Sequence, residues 1–138
     1  MDTIDNIRES YDRVASEYVA HLADELQHKP FDRMMLALSA ELAQGGLLCE
    51  VGCGPGHITR YLHDLGANVY GCDISPAMIA QAQARNPHVR YQVSDLRALD
   101  AVDHSLAGII AFYSLIHLPR AEIVPALRHL RDKLAWST

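Results

Sequence analysis

No stretch of this sequence approaches the roughly 18 consecutive apolar residues of a membrane-spanning helix. Basic residues are few and dispersed. Twelve Lys and Arg stand against 17 Asp and Glu, for a net charge of −5, and no basic block occurs anywhere. That excludes the electrostatic footprint of a nucleic-acid surface. Cysteine is scarce, and its three copies, Cys49, Cys53 and Cys72, make an odd count that argues against a disulfide framework. The Cys49–Cys53 spacing suits no common zinc site, so these read as small buried thiols beside a tight turn. The eight histidines show no ligand spacing, and no metal is expected. The opening residues, MDTIDNIRES, are polar and acidic, unlike a secretory signal, which places the chain in the cytoplasm. There is no internal repeat and no low-complexity tract.

The 138 residues, 49% apolar and 21% charged, suffice for one domain with a core, spanning 1–138. Apolar spacing predicts a helix over 5–24 (Ile7, Tyr11, Val14, Tyr18, Leu22) and a second from Phe31 to Ala43, stopping at Gly45-Gly46. These helices occupy 1–44. From 45 onward the pattern changes. Strands are predicted at 47–51, 68–73, 89–95 and 105–114, with helices at 57–65, 75–86 and 119–134. Ser75 caps the middle helix, Pro76 opens it, and Pro125 interrupts the last. Strands that read as continuous apolar runs and alternate with helices indicate an open, doubly wound α/β sheet of parallel strands. Its ligand crevice lies at the carboxyl ends of the strands.

The stretch LLCEVGCGPGHITR, residues 47–60, carries three glycines at alternating positions, Gly52, Gly54 and Gly56. They follow the first strand and precede a helix. Glycine there permits a sharp turn and close approach of a ligand to the backbone. The dinucleotide fingerprint needs its third glycine one position later, where His57 stands, so a nicotinamide dehydrogenase fits poorly. Glu50 lies at the tip of strand one, where a carboxylate favours a cationic ligand. Asp73 falls 21 residues after Gly52, at the end of strand two, placed to accept from ribose hydroxyls. Asp95 ends strand three and can accept from an adenine amino group. Taken singly each aspartate also fits a loop or N-cap role. Together the three acids line one rim.

This constellation resembles the class I S-adenosylmethionine-dependent methyltransferases. The resemblance rests on LLCEVGCGPGHIT, VYGCDISPAMIAQAQ, YQVSDLRAL and GIIAFYSLIHLPRAEI, covering residues 47–124. YDRVASEYVAHL resembles the N-terminal cap helix of the small-molecule branch. The resemblance implies a Rossmann-like sheet of order 3-2-1-4 and S-adenosylmethionine as cofactor, with S-adenosylhomocysteine as product. Gly52, Gly54 and Gly56 would line its methionine part, and Asp73 would hold the ribose. Ile74, Asp95 and Leu96 would face the adenine, and Glu50, Cys53, Met78 and Ser94 would also bind the cofactor. Phe112 and Tyr113 would approach the methionine end, and Tyr11 and Tyr18 would close the site. Both tyrosines equally fit a helix face turned to the core. His117, in SLIHLP, is the candidate base, with anchoring of its loop as the alternative. The expected reaction is in-line methyl transfer to a small-molecule acceptor, and the alternative is a module that binds the cofactor without catalysis.

The resemblance also implies three further strands beyond strand four, which this sequence does not show. Residues 106–112, LAGIIAF, then form a flat apolar edge. A homodimer through that edge is expected. The alternative is that the last helix folds back over it and leaves a monomer.

Overall fold

Four short apolar runs become four parallel strands. A computed structural model of the chain describes residues 4–9 and 25–135. The strands are β1 (Leu48–Val51), β2 (Val69–Asp73), β3 (Arg90–Val93) and β4 (Gly108–Ile110). They form one sheet in the order β3-β2-β1-β4. All three pairings are parallel, with Leu48 opposite both Val69 and Gly108, and Gly71 opposite Tyr91. Four helices connect or flank them: α1 (Pro30–Ala43), α2 (His57–Asp64), α3 (Pro76–Arg85) and α4 (Arg120–Lys133). Single 3-10 turns lie at Glu25–His28, Leu96–Ala98 and Leu115–His117. Residues 4–9 are helical. No helix among the described residues is long and apolar enough to cross a membrane.

The central strands β1 and β2 are buried along their whole length, as a sheet covered on both faces requires. Side-chain alternation divides the core in two. Cys49, Val51, Tyr70 and Cys72 pack with Leu106, Leu118 and Leu130 on one face. Leu48, Val69 and Ile110 pack with Leu36, Ile58 and Leu62 on the other. Ser75 caps α3 as expected, its hydroxyl accepting from the Met78 N–H at 3.1 Å.

Several boundaries differ from the sequence reading. Strand four, expected over 105–114, keeps its ladder only at Gly108–Ile110. Beyond it Tyr113 adopts a left-handed backbone (φ 59°) and the chain turns into the 3-10 segment. Apolar composition alone does not mark where a buried strand stops and a buried loop begins. Helix α4 runs unbroken through Pro125. Pro125 is the sixth residue of that helix, and with no N–H it cannot donate to the Ala121 carbonyl as another residue there would. The expected bare edge over 106–112 is shorter too. The Leu106 N–H donates to Lys133 O and its carbonyl accepts from the Ala135 N–H, while Leu134 bridges Leu106 in parallel. The chain after α4 thus occupies the start of that edge. Helix α1 fully buries only Leu36 and leaves Phe31, Met34 and Leu42 largely exposed. Tyr11 and Tyr18 lie outside the described residues.

Candidate functional site

An open-sided cavity lies at the carboxyl ends of the strands, with about 950 Å³ of empty space, its solvent-facing mouth included. Ligand clefts of this fold occur there because helix N-termini and strand ends converge on one rim. The loop between β1 and α2 forms its floor. Gly52, Gly54 and Gly56 all take positive φ, at 73°, 54° and 85°. At Gly52 the requirement is steric as well, because a Cβ would sit 2.4 Å from the Ser114 Cβ on the loop after β4. The glycine lets these two loops close on each other beneath the cavity.

Two buried carboxyls stand at the strand tips. Both oxygens of Asp73 accept backbone N–H groups at 2.9 Å, Oδ2 from Gly54 and Oδ1 from Ser75. Asp73 therefore ties the glycine loop to the end of β2 while lining the cavity. Glu50 is 1% exposed and accepts a 2.6 Å hydrogen bond from the Thr59 hydroxyl on α2. Burial pushes its carboxyl up to about 8, against the Thr59 hydrogen bond, and the Asp73 charge adds to the rise. It is thus a largely neutral acid at pH 7, poised to ionise when a cation arrives. Thr59 reaches Glu50 only because residue 71 is glycine: a Cβ there would lie 2.6 Å from the Thr59 hydroxyl.

The rest of the wall is mixed. Ile4 and Ile7 of the N-terminal helical segment and Phe112 after β4 supply apolar surface. Glu25, Lys29 and His57 also line the cavity. Lys29 pairs with Glu25 and lies 4.8 Å from the centre of the Tyr113 ring, whose hydroxyl donates to Asp32. His57 is the first residue of α2, and burial lowers its pKa. Its Nδ1 and the Ser114 hydroxyl are both shielded from solvent and have no hydrogen-bond partner among the described residues. Buried polar atoms without partners are rare, and here both belong to residues lining one cavity.

Comparison with known proteins decides the family. The profile of a family described as a methyltransferase domain matches residues 48–136. The chain belongs to the class I S-adenosylmethionine-dependent methyltransferases. It is 35% identical over 94 residues to malonyl-[acyl-carrier protein] O-methyltransferase of Pseudescherichia vulneris, covering 68% of this chain and 36% of that protein. It is 33% identical over 117 residues to trans-aconitate 2-methyltransferase of Escherichia coli O45:K1, covering 83% of this chain and 45% of that protein. The chain thus spans less than half the length of these relatives. The fold also matches magnesium protoporphyrin IX methyltransferase of Synechocystis PCC 6803, solved with bound S-adenosylmethionine. That match has a TM-score of 0.77 at 22% identity and covers 97% of this chain and 73% of that one.

In this methyltransferase domain the cavity brings together Glu50, Gly52, Cys53, Gly54, Asp73, Ile74, Ser94, Leu96, Phe112, Tyr113 and His117 from the sequence reading. Three other residues lie off it. Met78, on α3, is fully buried. Gly56 turns its carbonyl to the Tyr91 hydroxyl at 2.8 Å. Asp95 caps the 3-10 turn at Leu96–Ala98 and holds the Arg97 guanidinium, with Nη2 to Oδ2 at 2.8 Å. The cysteines are free and buried, and burial raises the Cys53 thiol well above its ordinary range. Sequence reasoning missed Thr59, His57, Ser114, Glu25 and Lys29. His57 and Thr59 lie within the glycine-loop stretch and Ser114 within the stretch after β4, but their residue types carry no site signal. All but Thr59 line the cavity, and Thr59 acts on it through Glu50.

Proposed function

We propose that this methyltransferase domain binds S-adenosylmethionine in the cavity beside the glycine loop and supports methyl transfer to a small-molecule acceptor. The observation that carries this reading is the floor of the cavity. Three left-handed glycines lie between two buried carboxyls, Glu50 and Asp73, with unpartnered polar atoms of His57 and Ser114 nearby. The fit is chemical. A ligand bearing a positive charge offsets the Glu50 carboxylate, and one bearing hydroxyls or an amine satisfies the orphaned atoms.

When bound, the cofactor supplies an activated methyl group on a positively charged sulfur, with a neutral thioether as leaving group. The protein's own contribution is positioning and a dry wall. The glycine loop presents backbone at close range, and Glu50 offsets positive charge. Asp73 keeps the loop in register and its carboxylate at the rim. Leu96, Ile74, Phe112, Ile4 and Ile7 exclude water. His117, on the 3-10 turn after β4, lines the cavity and takes the proton of a hydroxyl acceptor. The malonyl-[acyl-carrier protein] relative is named for O-methylation, so oxygen acceptors are the class to screen first.

Titration calorimetry with S-adenosylmethionine, S-adenosylhomocysteine and NAD tests the cofactor. The first two are expected to bind and NAD is not. Transfer of a labelled methyl group to small oxygen acceptors tests the reaction. Binding without turnover across the screen would make the chain a cofactor-binding module, and absence of binding would remove the reading. For the expected homodimer, the pairing segment left on the outer edge of β4 is Gly108–Ile110. Light scattering coupled to size exclusion tests it, and a monomer at high micromolar concentration would exclude it.

A further inference from the structure

We propose that His63, Asp64 and His88 form a binding site for a divalent transition-metal ion of the zinc class, on the outside of the sheet and apart from the cavity. His63 and Asp64 end helix α2, and His88 lies on the loop between α3 and β3. One ligand atom from each gathers within 4.8 Å of the others. Asp64 Oδ1 is the hub, at 3.7 Å from His63 Nδ1 and 3.9 Å from His88 Nε2. Tetrahedral zinc with bonds of about 2.0–2.1 Å holds its ligand atoms about 3.4 Å apart. Asp64 Oδ1 is within about half an ångström of that spacing to each imidazole, and the ligand atoms, at most 4.8 Å apart, close the rest by rotation of partly exposed side chains.

Three further observations point to a cation there. His63 Nδ1 is shielded from solvent and has no hydrogen-bond partner among the described residues. The site sits at the carboxyl end of α2, where the helix dipole favours positive charge. Arg60 approaches the other carboxylate oxygen, Oδ2, at 3.9 Å. That arrangement leaves Oδ1 turned to the two imidazoles. The two imidazoles already meet edge to face, with ring centres 5.1 Å apart. Two imidazoles and one carboxylate suit zinc, nickel or copper, with water completing the shell. His88 lies 24 residues after Asp64, so no spacing in the sequence announces the site. A bound ion would pin the end of α2 to the α3–β3 loop.

The test is calorimetry of the tag-free chain with zinc chloride. One zinc per chain is expected, with a rise in melting temperature. His63→Ala and His88→Ala should each weaken binding at least about tenfold and abolish the zinc-dependent rise. Cobalt chloride should give visible absorption bands that His88→Gln removes, with circular dichroism confirming the fold of each variant. Absence of zinc binding, or binding that both alanine variants retain at full strength, would overturn the proposal.

Discussion

Glu50→Gln is the most informative single change in this domain. Glu50 is buried at the tip of β1, and its carboxyl is raised from 4.5 to about 8 by burial. In the unfolded chain it ionises in the ordinary range. Between these two values the folded state holds a proton that the unfolded state has released. Stability is therefore fully present below about pH 4.5 and is lost as pH rises through about 8. A tenfold difference in proton affinity is worth about 1.4 kcal/mol. Between pH 5 and pH 8 the loss is roughly 3–4 kcal/mol, or on the order of 10–15 °C in melting temperature for a chain of this size. Glutamine has the shape of the neutral acid and keeps an oxygen for the 2.6 Å hydrogen bond from Thr59, but it cannot ionise. The variant should match the parent near pH 5 and exceed it at pH 8. Thermal melts at half-unit pH steps without ligand read both slopes. A parent curve that is flat across the window, or a variant that keeps the parent's slope, refutes the reasoning. The same group predicts that the parent binds S-adenosylmethionine more tightly as pH rises from 6 to 8, because a cation needs the ionised form, whereas the variant binds weakly throughout.

Gly71→Ala places a Cβ 2.6 Å from the Thr59 hydroxyl and 2.9 Å from the Tyr91 ring. It should cost roughly 1–3 kcal/mol in denaturant melts. Asp73→Ala removes the acceptor of two buried backbone N–H groups and should cost roughly 2–4 kcal/mol of stability, together with cofactor affinity by calorimetry. Affinity lost at unchanged stability would show that the loop does not depend on it. Gly54→Val forces a β-branched residue to φ 54° and should abolish cofactor binding, and a variant that binds as the parent does would show the loop conformation to be dispensable.

The order of elements, the parallel sheet and the place of the crevice were all legible in the chain. Local signals carry them: continuous apolar runs for strands buried on both faces, the Ser75-Pro76 helix start, and glycines clustered where no packed element gains from them. Most of the cavity floor follows from the same signals, because a strand tip and the turn after it are neighbours in sequence. What tertiary structure alone decided are relations between distant residues. Asp95 reads as a rim acid by position, but Arg97 two residues on takes its carboxylate. Asp73 holds Gly54, 19 residues away in the chain, which makes it a structural tie as well as a rim group. The length of β4 depends on where its neighbour β1 ends, and composition does not report that. Leu106 finds its partner in Leu134 only after α4 has packed back along the sheet. The neutral state of Glu50 depends on burial by groups from α2 and β2, and His63 meets His88 only because α2 and α3 lie over neighbouring strands. Hydrophobic periodicity and turn chemistry act over a few residues and can be read along the chain. Desolvation, hydrogen-bond partnership and ligand clustering act across space and exist only once the chain has folded.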